Sequence, residues 1–424
     1  MRRQNLFRII IELLAVMAAI LLLAGNALAA SQYKTLHIFH GKDGASPNGY
    51  LIFDAAGNLY GTTYSGGTYT SSCFTGSCGT TYELMPNADG TWTHKVIHYF
   101  TPEDTGPDGG VTFDTAGNLY GMTNQGPYDG NVYELTPKTG GSWSYSVLYQ
   151  MGGAYDGNPQ GGMTFDVAGN LYGTSAWGCG YGDGVSCVFE MTPSGSSWTF
   201  NLLYGFGFTG STGWYPSGTT PIFDAKGNLY ATTAFGGNGG CSPYGNGCYG
   251  LGVVFELSPN AGGTWTLNDL YEFTGGKDGE SPSCPLVFDA AGNLYGTTFA
   301  GGKYGHGNVF KLTPNANGTW TEHVLHQFTG GKDGGAPVFA GVIFDTAGNL
   351  YGTTNQGGAY GYGVVFKLTP TQTGGWHETV LHAFHNSPAA YPGGGLVFDA
   401  SGNLYGTTAG DGTTTFGSVF EITP

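Results

Sequence analysis

Four sets of side chains in this sequence could carry chemistry, and most of them recur at regular intervals. Asp54, Asp114, Asp166, Asp224, Asp289, Asp345 and Asp399 are each followed by two residues and then a Gly-Asn pair. Seven carboxylates suggest an acidic or calcium-binding ring. Their context is turn chemistry instead, with the carboxylate accepting backbone N–H bonds and the glycine taking a positive φ. A second acidic series, Asp43, Asp104, Asp156, Asp278 and Asp333, usually precedes glycine. Calcium could join these to loop carbonyls, and a plain Asp-Gly turn explains them as well. Histidines at 94/98, 323/326 and 382/385 look metal-like until the repeats are aligned. One position is then held by His37, His98, Tyr149, Tyr204, Tyr271, His326 and His382, which reads as packing rather than ligation. The nonrepeated ionisable candidates, Glu103, Asp183, Glu280, Lys303, His306 and Asp411, are scattered. No Ser-His-Asp motif, phosphate loop or metal motif stands out.

Cysteine placement adds a constraint. Cys73/Cys78, Cys179/Cys187 and Cys241/Cys248 each fall within one long loop, where a disulfide would staple it, and Cys284 is left over. Such bonds belong to oxidising compartments. Two thiols per loop at differing spacings are a poor zinc set.

The elements that must position these groups come from self-similarity. Phe-Asp-x-x-Gly-Asn-Leu-Tyr begins at Phe53, Phe113, Phe165, Phe223, Phe288, Phe344 and Phe398, at intervals of 60, 52, 58, 65, 56 and 54 residues. Each copy holds an apolar segment before the turn (strand A), Leu-Tyr-Gly-Thr-Thr or a close variant after it (strand B), and a third segment such as Val253–Leu257 (strand C). Pro ends strand C because it has no N–H for the ladder. A Gly-containing turn then leads to strand D, opened in six copies by Trp92, Trp143, Trp198, Trp265, Trp320 and Trp376. Short β-branched and aromatic segments without helical periodicity predict four antiparallel strands per copy, a propeller blade with enlarged loops. The chain ends on the seventh strand C, and Thr35–His40 matches Val380–His385. The N-terminal strand is therefore predicted to complete the last blade and close an all-β, seven-bladed ring.

In such a ring the A–B and C–D turns share one face and the B–C and D–A loops the other. The first set is short and repeated; the second is long and different in every copy, which is where binding resides on a rigid scaffold. That face carries Tyr64, Tyr69, Trp177, Tyr181, Trp214, Tyr215, Tyr244, Tyr304, His306, Tyr360 and Tyr362. Rings flanked by glycine suit stacking on sugars, and equally suit packing on one another.

The first 29 residues read as an export signal: Arg2, Arg3 and Arg8, an apolar core from Leu13 to Ala24, and Ala27-Leu28-Ala29 before the cut. Residues 30–424 then form a single domain, a predicted monomer with no later membrane segment. Without the signal the chain has 10 basic and 28 acidic residues, a net charge of −18, which repels nucleic acid. With 79 glycines and 15% aromatic residues it is not a disordered acidic chain.

The Gly-Asn-Leu-Tyr-Gly-Thr-Thr core resembles the tandem repeat called GloVer, found in exported bacterial "choice-of-anchor" proteins that differ in their C-terminal anchors. The resemblance covers essentially the whole mature chain. It implies a cell-surface or secreted location and transfers no catalytic residue. The chain ends at Pro424 with no sorting tail, which points to a released or periplasmic form. The functional expectation is a noncatalytic extracellular module that recognises carbohydrate or another polymer. The alternatives are a propeller hydrolase, lyase or lactonase acting on a similar substrate, and an adhesive scaffold for a cell-surface protein.

Overall fold

A computed structural model describes residues 31–67, 73, 78–125, 130–151, 159–178, 186–195, 197–207, 212–237, 250–339, 341–387, 389–410 and 415–424. The export-signal residues lie outside this set. The described residues form seven four-stranded antiparallel sheets and no helix, hence no helix able to cross a membrane. In blade one the strands are Ile52–Phe53 (A), Leu59–Thr63 (B), Thr80–Pro86 (C) and Trp92–Tyr99 (D). The same order repeats in the next five blades. Blade seven takes its strand D from the start of the chain: Gln32–Ile38 pairs antiparallel with Ser418–Thr423. The ring is a seven-bladed propeller closed by its N-terminal strand, as the sequence predicts.

Strand B explains the shared motif. Its five residues are buried in every blade. Six blades have glycine at its centre, where strand C comes close: a Cβ on Gly296 or Gly352 would lie 2.7 or 2.6 Å from the ring of Phe310 or Phe366, and blade four accommodates Ala231 in the same place. The tyrosine before that glycine reaches into the next blade. Tyr60 packs edge-on against Phe113 (5.2 Å between centroids) and Trp143 (6.0 Å), and Tyr405 does the same with Phe53 and Trp92 across the ring closure. The Trp series is thus interblade packing.

The Asp-x-x-Gly-Asn segments are turns, as expected. Asp345 Oδ1 accepts the N–H groups of Ala347 and Asn349 at 2.9 Å each, while Oδ2 accepts from Asn349 Nδ2 and the Tyr351 hydroxyl.

The second acidic series caps D–A loops. Asp43, Asp104, Asp278 and Asp333 accept the N–H of His40, Thr101, Thr274 and Thr329, one loop each. The structure therefore sets these four carboxylates on their own loops rather than around a common ion, and Asp156 lies outside the described residues. The shared His/Tyr position on strand D packs against the next blade: His98 stacks on Tyr145 at 4.2 Å, Tyr149 on Phe200 at 4.3 Å. The expected separation of the strand-D histidines is corrected by the structure. Equivalent strand-D residues stay apart, but His37 meets a nonequivalent histidine, His94 of the neighbouring blade, at 4.0 Å.

The turn aspartates supply a stability test. Asp345→Ala leaves two backbone N–H groups and a phenol without an acceptor and is expected to cost about 1–3 kcal/mol, read by urea denaturation at pH 7. Burial pushes the Asp345 carboxyl up, but hydrogen bonds from Asn349, Tyr351 and Ala347 outweigh it and hold the group below its ordinary value. The charged form is thus the stabilising one. Its contribution is complete above about pH 4 and is lost as pH falls through the folded value, so the gap between wild type and variant should narrow below pH 4.

Candidate active site at the channel mouth

Each D–A loop enters its strand A through a proline, at Pro47, Pro107, Pro159, Pro216, Pro282, Pro337 and Pro392. The residue ahead of that proline is left-handed wherever it is described: Ser46 (φ 54°), Gly106 (73°), Tyr215 (64°), Ser281 (54°), Ala336 (50°) and Tyr391 (60°). Only one other described non-glycine residue has a positive φ, Phe339, and it lies at the same mouth. Side chains adopt this conformation at a cost of about 1–3 kcal/mol each and keep it only where the surroundings over-determine it. Here the surroundings do. Ser281 donates its N–H to Leu251 O and accepts from Phe299 N, and Ala336 does the same with His306 O and Asn355 N.

The strained residue and the proline fix the direction of the next side chain. The seven residues in that position are Asn48, Asp108, Gln160, Ser217, Ser283, Val338 and Gly393. In a ring so strongly repeated, one register position holding seven side chains of different chemistry is informative. They converge on the channel mouth. Asn48 Nδ2 donates to Asp108 Oδ1 at 3.3 Å, and Ser217 donates to Gln160 Oε1. A Cβ on Gly393 would lie 3.4 Å from that of Asn48. A cavity of about 370 Å³ opens beside them, lined by Gln160, Ser217, Ser283 and Val338 of the ring with Tyr215, Phe235, Phe299 and Phe339. Its floor is closed by Tyr50, whose hydroxyl crosses the channel to Phe339 O and to Gly218 O (3.3 Å). The shaft is apolar, with Ile52, Met163, Ile222, Val287, Ile343 and Leu396 among its walls. The mouth is a cup rather than an open tunnel.

Asp108 is the one acid among the seven. In blade two the innermost strand starts early, at Pro107, so Asp108 sits on a strand paired with Met122 instead of on a loose loop. Its Oδ1 also accepts the Gly109 N–H at 3.0 Å, and its Oδ2 accepts Asn124 Nδ2 at 3.2 Å. Burial pushes its carboxyl up to about 6, with the Gly109 and Asn124 bonds working in the opposite direction. Burial, and to a smaller degree the Asp108 charge, raises the phenols of Tyr50 and Tyr64, which stay protonated. Asn48 Oδ1 and Asn124 Oδ1 are buried with no hydrogen-bond partner.

The aromatic residues expected on this face divide into two groups. Tyr215 lines the cup, and Tyr64, which accepts a hydrogen bond from Gln125 at 2.6 Å, lies near Asp108. Trp177 and Trp214 pack edge-on at 5.5 Å, and Trp214 on Phe235 at 5.4 Å, so they order the loops. Tyr304 and Tyr360 are exposed on the outer rim, the first under Lys303 and the second stacked on His385 at 3.5 Å. Tyr362 packs on Tyr391. His306 belongs to the B–C loop of blade five and lies against Gly330. Tyr69, Tyr181 and Tyr244 lie outside the described residues, as do Asp183 and Asp411. Glu103 is exposed on a bond from Thr101, Glu280 is buried, and neither lines the cup.

Cys73 and Cys78 are disulfide-bonded within one B–C loop, and Cys187 is also in a disulfide. Cys179, Cys241 and Cys248 lie outside the described residues. Cys284 is a buried free thiol, pushed up to about 11 by burial and held by Thr297 backbone contacts.

The family model of the Gloeobacter/Verrucomicrobia repeat matches residues 242–424. No curated protein matches the chain. Among solved structures, a protein from Lactobacillus plantarum is similar at 13% identity and a TM-score of 0.50, covering 82% of this chain and 88% of its own. A gluconolactonase from Xanthomonas campestris is similar at 15% identity, a TM-score of 0.42 and coverage of 77% and 89%. A luciferin-regenerating enzyme is similar at 13% identity, a TM-score of 0.45 and coverage of 93% and 96%. At these identities the likeness is one of fold.

The expectation of a noncatalytic binding module is corrected. The channel mouth holds the feature whose absence favoured binding: a nonrepeated, half-buried acid, Asp108. The signal was present in the sequence as the residue after each D–A proline. It is invisible until the copies are aligned on that proline rather than on the Asp-x-x-Gly-Asn turn.

Because Asp108 is held above its unfolded value, the folded protein binds its proton more tightly than the unfolded chain does. Stability from this group therefore falls as pH rises from about 4 through about 6. Asp108→Asn removes that penalty, so it should melt above wild type at pH 7.5, with the advantage shrinking towards pH 4. A variant that melts below wild type at pH 7.5 would show that the carboxylate is not desolvated.

Proposed function

We propose that the cup is the active site of a hydrolase for a small, neutral, polyhydroxylated ester, with a sugar lactone as the class it fits best. Asp108 supports this reading most directly. A carboxyl poised near pH 6 is charged in most molecules at neutral pH and still basic enough to take a proton from water. In the proposed reaction Asp108 takes that proton as the water oxygen adds to the ester carbonyl. The tetrahedral intermediate collapses with cleavage of the acyl C–O bond, and the carboxylic acid returns the proton to the departing alkoxide.

The lining selects the substrate class. The Gln160 carboxamide and the Ser217 and Ser283 hydroxyls suit a polyol, while Tyr215, Phe235 and Phe339 offer apolar walls; Asp108, held by Asn48 and Asn124, is close enough for its charge to act on the Tyr215 phenol. No Lys or Arg is among the described lining residues, and the chain's strongly negative charge disfavours anionic substrates. Glycoside cleavage generally needs two carboxyl groups across the scissile bond, and Asp108 is the one carboxylate of the ring position. A lactone, already activated, asks only for a base and a positioned water.

Assay against a panel of aldonolactones tests this. Hydrolysis should be fastest for neutral lactones, with kcat/KM rising as pH passes through about 6 and then levelling. Asp108→Asn should lower kcat by about 10²–10⁴-fold. Full activity in that variant, or no hydrolysis of any neutral lactone, would reject the assignment.

Export belongs with this proposal. The basic-then-apolar start of the chain and the Cys73–Cys78 bond support a site that works outside the cytoplasm. Fractionation of cells expressing the full chain is expected to find it shortened by about 29 residues and outside the cytoplasm; an unprocessed cytoplasmic protein would refute this.

A further inference from the structure

The outer rim of the ring has seven grooves where strand D of one blade lies beside strand D of the next. In the grooves that follow blades one and two, a strand-D side chain stacks on Tyr145 or Phe200 of its neighbour. The groove between blade seven and blade one differs. It brings together His37 on the N-terminal closing strand, Asp43 in the loop after it, and His94 on strand D of blade one. One ligand atom from each lies within 4.8 Å of the other two, and no other described His, Cys, Asp or Glu side chains form such a group.

We propose that His37, Asp43 and His94 form a binding site for a zinc-class divalent metal that latches the closing strand to blade one.

The chemistry of the set supports this. Two imidazoles and one carboxylate are a common zinc ligand set, leaving a fourth position for water. His37 Nε2 and Asp43 Oδ2 are already 2.9 Å apart, the spacing of donors on one ion, and a metal would replace the proton they share. His94 Nε2 is buried and has no hydrogen-bond partner. The two imidazole planes lie within 4° of parallel, so binding needs a tilt that moves the donors together by on the order of 1 Å to reach zinc bond lengths of about 2.1 Å. Asp43 Oδ1 accepts the His40 N–H at 2.7 Å, which orients the carboxylate as outer-shell bonds do in metal sites. Phe39 and Tyr82 pack around His94 at 5.6 Å each and supply an apolar shell. His37 and Asp43 remain partly open to solvent, so an ion has a route in.

The site's position gives it a consequence. Among the described strands the N-terminal one alone is not joined by a hairpin to the rest of its blade, so its departure opens the ring. A metal bound across this groove favours the closed ring by mass action.

Untagged, metal-stripped full-length protein is titrated with Zn²⁺ against a chromophoric chelator, and with Co²⁺ while its visible absorption is followed. One ion per chain is expected, with cobalt bands of a four- or five-coordinate site and a melting temperature that rises with zinc and falls back on chelation. His94→Tyr copies the residue that stacks on His98 in the next groove, so it preserves the packing while removing a ligand. It should bind zinc at least about a hundredfold more weakly and melt as wild type does without metal. His98→Gln, one groove away, should bind as wild type. No stoichiometric uptake by wild type, or uptake unchanged in His94→Tyr, overturns the proposal.

Discussion

Tyr60, Tyr120, Tyr172, Tyr230, Tyr295, Tyr351 and Tyr405 each belong to two blades at once. The ring of each side chain is buried in the next blade, and its hydroxyl stays with its own. A phenol inserted between a phenylalanine and, in most blades, a tryptophan loses its water and must find another partner. Tyr60 finds Asp54 at 3.2 Å and Glu83 at 2.8 Å, and Tyr172 finds Asp166 and Glu190 in the same way. Blades five and six replace the glutamate with Lys311 and Lys367, whose ammonium groups lie over the tyrosine rings at 5.6 and 5.3 Å. The aspartate can reach the phenol only from the A–B turn, and it can sit there only if the turn is tight enough for one oxygen to gather two backbone N–H groups. Much of the repeated octapeptide follows from that one contact.

This constraint also decides which face is free to vary. The A–B turns are committed to the tyrosine clasp, and the C–D turns hold the tryptophans that complete it. The B–C and D–A loops carry no such duty, so their lengths and compositions differ from blade to blade. Left-handed serine, alanine and tyrosine residues at the entry to strand A persist because both backbone groups are held by sheet-like bonds to flanking loops. The strain is local, and the clasps on the far side of the ring are unaffected by it.

Blade number, strand order and ring closure were legible because each rests on local patterns repeated seven times or on the match between the two chain ends. The turn role of Asp345 and its equivalents was legible for the same reason. The cup was not, because Asn48 of blade one meets Asp108 and Asn124 of blade two only through the packing of adjacent blades, and the register position that Asn48 and Asp108 share shows only when the copies are aligned on the D–A proline. Tyr215 lines the cavity, while Trp177 and Trp214, singled out by the same residue type, pack edge-on against each other. Aromatic character alone cannot separate a ring that lines a cavity from one that fills it. The sequence reading also passed over His94, because it compared equivalent positions on strand D. Neighbouring strands cross so that one position meets another four residues away in register, and that offset exists only in three dimensions.

A scaffold built from nearly identical units can form a specific site only where its symmetry is broken, and geometry limits where that can happen. At the channel mouth equivalent positions of neighbouring blades touch, as Asn48 does Asp108 and Ser217 does Gln160, and four of them share one cavity, so a single register position holding Asn, Asp, Gln, Ser, Ser, Val and Gly can differentiate one part of the mouth from another. On the outer rim equivalent positions are far apart, and only neighbouring blades meet. A site there must therefore be built by two blades, and the groove most free to diverge is the one whose strand comes from the far end of the chain. His37 and Asp43 lie on and beside that strand, and His94 faces them from blade one. The two least repeated constellations of the ring thus fall where a repeat protein has room to make them.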